Sequence, residues 1–272
     1  MTLLASHAGL FSLAMARVAG LALSTPILMA ASVPMRVKAL LVLLIAAAAY
    51  PFVCTLPSSA AGGSVDLVGL IPSLVGEAAV GFCLGLIVSM PLLFLEAAGS
   101  ICGHQMGFGL ARVYNPASDE DADILGQLLY FTGFGTFLAM GGMERMFSML
   151  IGTFETLPAG LAKPGLVASV DWTGAVGSAL ELALRISGPV TGIVIISSAV
   201  LGLVGKTMPQ INIMSVGFTV KAVAGVAVLG FSLVASAEVT ADGLAESVRD
   251  AARWAGSLTA TAPTGWEGID GR

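Results

Sequence analysis

The chain has 272 residues, of which 56% are hydrophobic and 11% are charged, and its mean hydropathy is +0.93. Soluble domains carry about 25% charged residues, so this composition excludes an ordinary soluble globule and predicts a membrane-embedded protein. The formal net charge is −5 and no basic patch is present, which excludes nucleic acid as a partner.

Six apolar runs approach or exceed the ~20 residues that a helix needs to cross the hydrocarbon core of a bilayer. They cover residues 8–33, 39–56, 67–95, 124–154, 176–205 and 211–237. We therefore predict an all-α polytopic membrane-complex protein with about six long helices, kinked by glycine and proline. The third, fourth and fifth runs are long enough to tilt, kink or fold back. The basic residues divide equally between the two sides, so charge does not give the orientation.

We predict one helical domain over residues 1–237, in which residues 99–123 form a loop. Residues 238–258 alternate apolar and charged positions with helical spacing, which predicts an amphipathic surface helix. We expect residues 259–272 to be a disordered tail.

Glycines repeat at every fourth position in three apolar segments. One pair is Gly81 and Gly85, a second series is Gly99, Gly103 and Gly107, and a third is the pair Gly188 and Gly192. In a helix this spacing gives a ridge without side chains, which predicts close packing against another helix.

Charged residues inside the apolar runs are costly in lipid, at ~2.5–3.5 kcal/mol for a central Arg or Lys. Glu181 and Arg185 are one helical turn apart and neutralise each other. Arg17 and Lys221 have no such neighbour, so we expect them to face protein or water. Glu77 is equally compatible with a solvated position at the end of a segment.

We found no pattern that predicts catalysis, a cofactor or a metal site. Asp119, Asp121 and Asp123 resemble the start of a calcium-binding loop, but Ile124 occupies the position where glycine is required. These acids instead favour a helix start with Ser118 as a cap. We therefore expect that the chain is not an enzyme.

Two classes of function fit the charges in the apolar runs. A small secondary transporter places such groups at broken helices near the membrane midplane. A subunit of a larger assembly buries them against partner subunits instead.

Four segments, in order along the chain, resemble the FliR family of flagellar export-apparatus proteins. They are GSICGHQMGFGLARVYNPAS at 99–118, GGMERMFSMLIGTFETLPAG at 141–160, MPQINIMSVGFTVKAVAG at 208–225, and the first run with Arg17 and the VPMRVK sequence at 33–38. The resemblance covers the chain up to about residue 236.

The resemblance implies a subunit of the type III export gate, flagellar in preference to injectisome, in the bacterial inner membrane at the flagellar basal body. It implies assembly with FliP-like and FliQ-like subunits, an FlhB-like switch protein as a further partner, and unfolded export substrates. The complex is then displaced toward the periplasm. Arg17 and Lys221 would be buried at contacts between subunits.

The resemblance also implies that a loop of this chain plugs the central channel. The matching loop extends from about Gln105 to Tyr114, and its plug residues are Gln105, Met106, Gly107, Phe108, Gly109 and Leu110. Methionine and phenylalanine are able to seal a narrow pore, and glycines beside Phe108 give the backbone freedom to move.

Overall fold

In a computed structural model of the chain, the described residues are 2–25, 34–56, 67–108, 123–208, 213–235 and 237–258. Within these ranges the structure consists of α-helices and one 3₁₀-helix, so the predicted all-α class is confirmed. The α-helices are α1 (Thr2–Ser24), α2 (Met35–Thr55), α3 (Leu67–Met106), α4 (Ile124–Ala139), α5 (Gly142–Thr156), α6 (Trp172–Thr207), α7 (Ile213–Ala235) and α8 (Ala237–Ser257), and the 3₁₀-helix is Pro164–Ser169. The predicted tail, 259–272, lies outside the described residues.

Five of the described helices are long and apolar enough to cross a membrane: α1, α2, α3, α6 and α7. The number becomes six if α4 and α5 form one broken span. Both values agree with the about six helices predicted from the apolar runs. In α6 and α7 only 11% and 17% of the apolar window is buried within the chain, so most of the surface of these helices requires lipid or protein to cover it.

One boundary differs from the prediction, and one break agrees with it. The third helix continues to Met106 and does not end at residue 95, so residues 99–106 are helical and not part of a loop. The fourth run is broken after α4, where Gly141 adopts a φ of 70°, a left-handed conformation that favours glycine. This break agrees with the expectation that the fourth run is long enough to kink or fold back.

The chain divides into two compact units. The first unit contains residues 1–89, 142–175 and 247–272, and so includes α1, α2, α5 and the beginning of α3. Its apolar core consists of Leu10, Leu13, Ala14, Val53, Phe154 and Ala159. Near the C-terminal end of α8, Trp254 Nε1 donates a hydrogen bond of 3.0 Å to Ser169 Oγ on the 3₁₀-helix.

The second unit contains residues 90–141 and 176–246, which include the end of α3, α4, most of α6, and α7. Its core is larger and consists of Leu95, Cys102, Met106, Leu125, Leu129, Leu182, Ile186, Val190, Val194 and Leu229. The hydroxyl of Ser232 on α7 donates to the carbonyl oxygen of Ile186 on α6 at 3.2 Å. This unit therefore surrounds the end of α3 with apolar side chains.

Candidate functional site

A buried ion pair lies in the core of the first unit. Arg17 on α1 and Glu77 on α3 are both 0% exposed, and Arg17 Nε donates to Glu77 Oε2 at 2.6 Å. The other guanidinium nitrogens donate to Thr153 Oγ1 on α5 and to the carbonyl oxygen of Leu157, each at 3.0 Å. The guanidinium carbon also lies 4.2 Å from the ring centroid of Phe154, a cation–π contact.

The second oxygen of Glu77 holds a turn. Glu77 Oε1 accepts a hydrogen bond of 2.8 Å from the backbone N–H of Gly160, and Gly160 has a φ of 94°. Only glycine adopts that conformation readily, which gives a physical reason for the Leu-Pro-Ala-Gly sequence at 157–160. In the described part of the chain, no buried side-chain nitrogen or oxygen lacks a hydrogen-bond partner. The ion pair therefore joins α1, α3 and α5 with its polar groups satisfied.

The structure corrects the expected partner of Arg17. We expected partner subunits to neutralise it, but its counterion, Glu77, lies in the same chain. The alternative of a solvated Glu77 is also wrong, because this carboxylate is fully buried. A signal was present in the sequence, since the first and third apolar runs each contain one charge and the two charges have opposite signs. Spacing within a helix does not detect such a pair, because its members are separated by 60 positions.

Glycines let α1 and α3 approach at backbone distance beside this ion pair. A Cβ atom on Gly81 would overlap the carbonyl oxygen of Arg17, and one on Gly20 would overlap the carbonyl oxygen of Ala78. A Cβ on Gly85 would overlap the hydroxyl of Ser24. The structure thus brings Gly81 and Gly85 into one helix contact. It adds Gly20, which the search for repeated glycines missed because α1 has no glycine four residues away.

The glycines of the second predicted series differ from one another in how closely they approach a neighbouring helix. A Cβ on Gly99 would lie 2.5 Å from the carbonyl oxygen of Leu125 and 2.7 Å from the Cα of Gly126 on α4, so Gly99 is at a close helix contact. For Gly103 the nearest atom, an oxygen of Asp123, would be 3.7 Å away, an ordinary van der Waals distance. The same spacing therefore includes one required glycine and one that leaves room for a methyl group.

Helix α3 ends where the predicted plug begins. The N–H of Gly107 donates to the carbonyl of His104, and that of Phe108 donates to the carbonyl of Gly103, each at 3.0 Å. Gly107 has a φ of 93°. These two bonds and a left-handed glycine form a Schellman motif, which terminates a helix and turns the chain.

Met106 lies in the core of the second unit and not in a loop. It is 0% exposed and packs with Leu182, Ile186 and Leu229. The expectation that its side chain contributes to an exposed stopper is therefore corrected. Methionine fits here because it is flexible enough to fill an irregular gap, which is the space left by Gly225 on α7.

The other predicted plug residues lie at the surface or outside the described ranges. Gln105 is exposed and Gly107 is partly exposed. Phe108 is 38% exposed, and its ring makes an edge-to-face contact with Phe218 on α7 at a centroid distance of 6.4 Å. Gly109 and Leu110 lie outside the described residues.

Helix α4 begins with a side-chain cap. Asp123 Oδ1 accepts a hydrogen bond of 3.1 Å from the N–H of Gly126, which satisfies one of the free amides at the helix start. The cap expected at Ser118 lies outside the described residues.

Lys221 lies in the middle of α7 and is partly exposed. Among the described residues, no carboxylate lies within ion-pair distance of its ammonium group. In contrast, Glu181 and Arg185 on α6 form the pair expected from their spacing, with both side chains about 60% exposed. Lys221 therefore differs from Arg17, because its charge is not neutralised within the described part of the chain.

These features define a polytopic α-helical membrane protein in which glycine contacts and a buried ion pair join helices of the described part of the chain. Residues 8–247 match the family model of the bacterial export proteins, family 1. The chain belongs to this family, and the resemblance to FliR proteins predicted from the sequence is confirmed.

The individual relatives are named either as flagellar biosynthetic proteins or as surface presentation of antigens proteins. The chain is 28% identical to the flagellar biosynthetic protein FliR of Bacillus subtilis, over 53% of this chain and 57% of the relative. It is 30% identical to the surface presentation of antigens protein SpaR of Salmonella typhimurium, over 60% of each chain. The chain therefore spans less than two thirds of the length of these two relatives. The match to FliR of Escherichia coli is 29% identical over 78% of this chain and 80% of that protein.

Proposed function

We propose that the chain is a structural and channel subunit of the flagellar type III protein export gate in the bacterial inner membrane. It assembles with FliP-like and FliQ-like subunits, adjoins an FlhB-like switch protein, and conducts unfolded export substrates. The complex is displaced toward the periplasm. The observation that carries this proposal is the family match over residues 8–247, because it includes all six apolar runs and the segment that leaves α3.

Two features of the described residues support assembly with other subunits. Helices α6 and α7 expose large apolar side chains, among them Leu184 at 60%, Ile195 at 61% and Phe231 at 79%. Lys221, a partly exposed residue, lies eight residues into the apolar helix α7. A charge at such a position is stabilised by a protein partner or by water and not by lipid, which is consistent with a contact between subunits.

The first prediction concerns assembly. When co-expressed with FliP-like and FliQ-like subunits of the same organism, the chain should be recovered in one complex with both of them. Expressed alone, it should give little folded protein, because the apolar surfaces of α6 and α7 remain uncovered. Affinity purification followed by size-exclusion chromatography and imaging of the complex measures this. A chain that is stable alone and does not bind either partner would contradict the proposal.

Within the assembly, we propose that the segment leaving α3 closes the channel. Phe108 is the first described residue of this segment that exposes a large apolar side chain, directly after the turn at Gly107. A narrow constriction lined by such groups excludes water and ions by dewetting. Gln105 and Gly107 precede it at the surface, Met106 anchors the segment in the core, and the proposal extends to Gly109 and Leu110 from the resemblance alone.

The second prediction tests the plug. Phe108→Ala removes the apolar ring and leaves Met106 in the core, so the assembled complex should form normally and should conduct small ions when at rest. Conductance of the purified complex in a planar bilayer measures the leak. Phe131→Ala is the matched control, because Phe131 is an exposed phenylalanine of the same unit on α4. Equal conductance of Phe108→Ala and the unmodified complex would reject the plug.

A further inference from the structure

Helix α7 contacts the end of α3 at two points that differ in burial. We propose that α7 is the latch of the closed gate: Gly225 receives Met106 as a permanent anchor, and Phe218 holds Phe108 as a contact that breaks on opening. This inference rests on the proposed function, and it adds the residues of α7 that keep the closed segment in position.

The anchor is the side chain of Met106, which packs against the backbone of α7 at Gly225, where no side chain is present. Met106 is 0% exposed, and a Cβ atom placed on Gly225 would lie 2.9 Å from both its Cγ and its Sδ and would overlap its terminal methyl group. No other residue type at position 225 leaves this space. Since Met106 belongs to the core of the second unit, the end of α3 remains fixed to α7 at this point.

The latch is a surface contact between two aromatic rings. Phe108 and Phe218 meet edge to face, with an interplanar angle of 80° and a centroid distance of 6.4 Å, a preferred geometry for an aromatic pair. Their exposures of 38% and 39% mean that the rings can separate without opening the core. The turn at Gly107, with a φ of 93°, lies between the anchor and the latch and is the position where the backbone can rotate.

The spacing along α7 places both points on one helix face. Residues 218 and 225 are two turns apart, a rise of about 10 Å. Both points therefore lie on the same side of α7.

Replacement of Phe218 tests the latch in the complete complex with FliP-like and FliQ-like subunits. Phe218→Ala should raise the resting ion conductance about two- to tenfold, the population change that loss of one aromatic pair permits. Recovery and thermal stability of the complex should match those of the control Phe131→Ala. The double variant Phe108→Ala/Phe218→Ala should conduct no more than Phe108→Ala alone, because both single variants break the same contact.

A second variant keeps the test decisive if Phe218→Ala is not recovered. Phe218→Leu keeps most of the buried volume but loses the edge-to-face geometry, so it should still raise the resting conductance. For the anchor, Gly225→Ala should displace Met106 and raise the conductance. Gly230→Ala on the same helix should not, because its added methyl group meets open space in the described structure.

The outcomes separate this inference from the proposed function. Suppose that Phe108→Ala raises the resting ion conductance and that both Phe218 variants have the conductance of the unmodified complex. The latch is then rejected and the plug is retained. If neither Phe108→Ala nor the Phe218 variants conduct, the plug itself is rejected. If the double variant conducts as the product of the two single effects, the two rings act independently and the latch is also rejected.

Discussion

Replacing Glu77 with leucine while Arg17 remains should destabilise the chain by about 3–5 kcal/mol. The guanidinium group is 0% exposed, and without the carboxylate it becomes a buried charge with only two neutral acceptors, Thr153 and the Leu157 carbonyl. The change also removes the acceptor of the Gly160 N–H. A buried donor without a partner costs about 1–3 kcal/mol, so the turn at 157–160 should loosen as well.

The matched double variant separates the charge from the packing. Arg17→Met/Glu77→Leu replaces both ions with apolar side chains of similar length. It should recover the stability lost to the unpaired charge, because two well-packed apolar residues often equal a buried ion pair, but the Gly160 N–H still lacks its acceptor. Arg17→Lys should fall between the single and the double variant. It keeps the charge, but it lacks the planar fork that reaches Glu77, Thr153 and the Leu157 carbonyl together.

The rate of thiol labelling measures the loss of stability separately in each of the two compact units. Cys83 lies on α3 in the first unit and Cys102 lies on α3 in the second, and both are buried, whereas Cys54 is exposed. In single-cysteine versions of the complete complex, Glu77→Leu should accelerate labelling of Cys83 much more than labelling of Cys102. Equal acceleration at both cysteines would mean that the ion pair does not act locally. Unchanged labelling of Cys83 would contradict its role in joining the three helices.

The composition of the chain predicted the fold class because apolar runs of ~20 residues have few alternatives to a membrane helix. It did not predict the end of α3. Residues 96–106 contain Glu96, glycines and His104, which resemble a loop, but their apolar positions form a helical stripe that reaches Met106. A polar residue at the exposed side of a helix does not end the helix, and only the turn at Gly107 does so.

The sequence indicated the charges of the site but not their pairing. Arg17 was recognised as a charge that must avoid lipid, and the structure agrees that it does. The identity of its counterion depends on how α1 and α3 pack together. The spacing of residues along one helix gives no information about that packing. Phe218 was missed for a similar reason. It is one of many aromatic residues in apolar helices, and only the turn after α3 brings Phe108 to it.

Glycine spacing alone also does not distinguish a required glycine from a tolerant one. Gly81 and Gly103 both lie on α3 and both belong to a series of every fourth residue. Gly81 faces the backbone of Arg17 on α1, whereas the nearest atom to an added methyl group on Gly103 would be 3.7 Å away. The difference arises from which face of α3 meets another backbone.

Gly81→Ala should therefore be strongly destabilising, and Gly103→Ala should be neutral or stabilising. The new methyl group at position 81 would overlap the carbonyl oxygen of Arg17 and lie 2.9 Å from the amide nitrogen of Leu21. Backbone atoms cannot rotate away as a side chain does, so α1 and α3 must separate. Overpacking of this kind costs about 1–3 kcal/mol, and more where relaxation is blocked.

The separation should also weaken the ion pair, which makes the effect larger than the overlap alone. Glu77 lies one turn before Gly81 on the same helix, and its carboxylate meets Arg17 at 2.6 Å. A shift of several tenths of an ångström at position 81 acts directly on that hydrogen bond. Gly81→Ala in the Arg17→Met/Glu77→Leu background should therefore cost less than in the unmodified chain, because the second effect is absent.

The measurement compares matched alanine variants in the complete complex. Recovery of the complex and the labelling rate of Cys83, two residues from Gly81, should both change for Gly81→Ala. Gly103→Ala should leave them unchanged and should gain about 0.5–1 kcal/mol of helix stability from alanine over glycine. If the two variants behave alike, α1 and α3 do not meet at backbone distance in the assembled protein. A different result is expected if the close approach of α1 and α3 and the Arg17–Glu77 pair are energetically coupled. Only Gly81→Ala should then lower recovery and accelerate labelling of Cys83, and both effects should be smaller in the Arg17→Met/Glu77→Leu background.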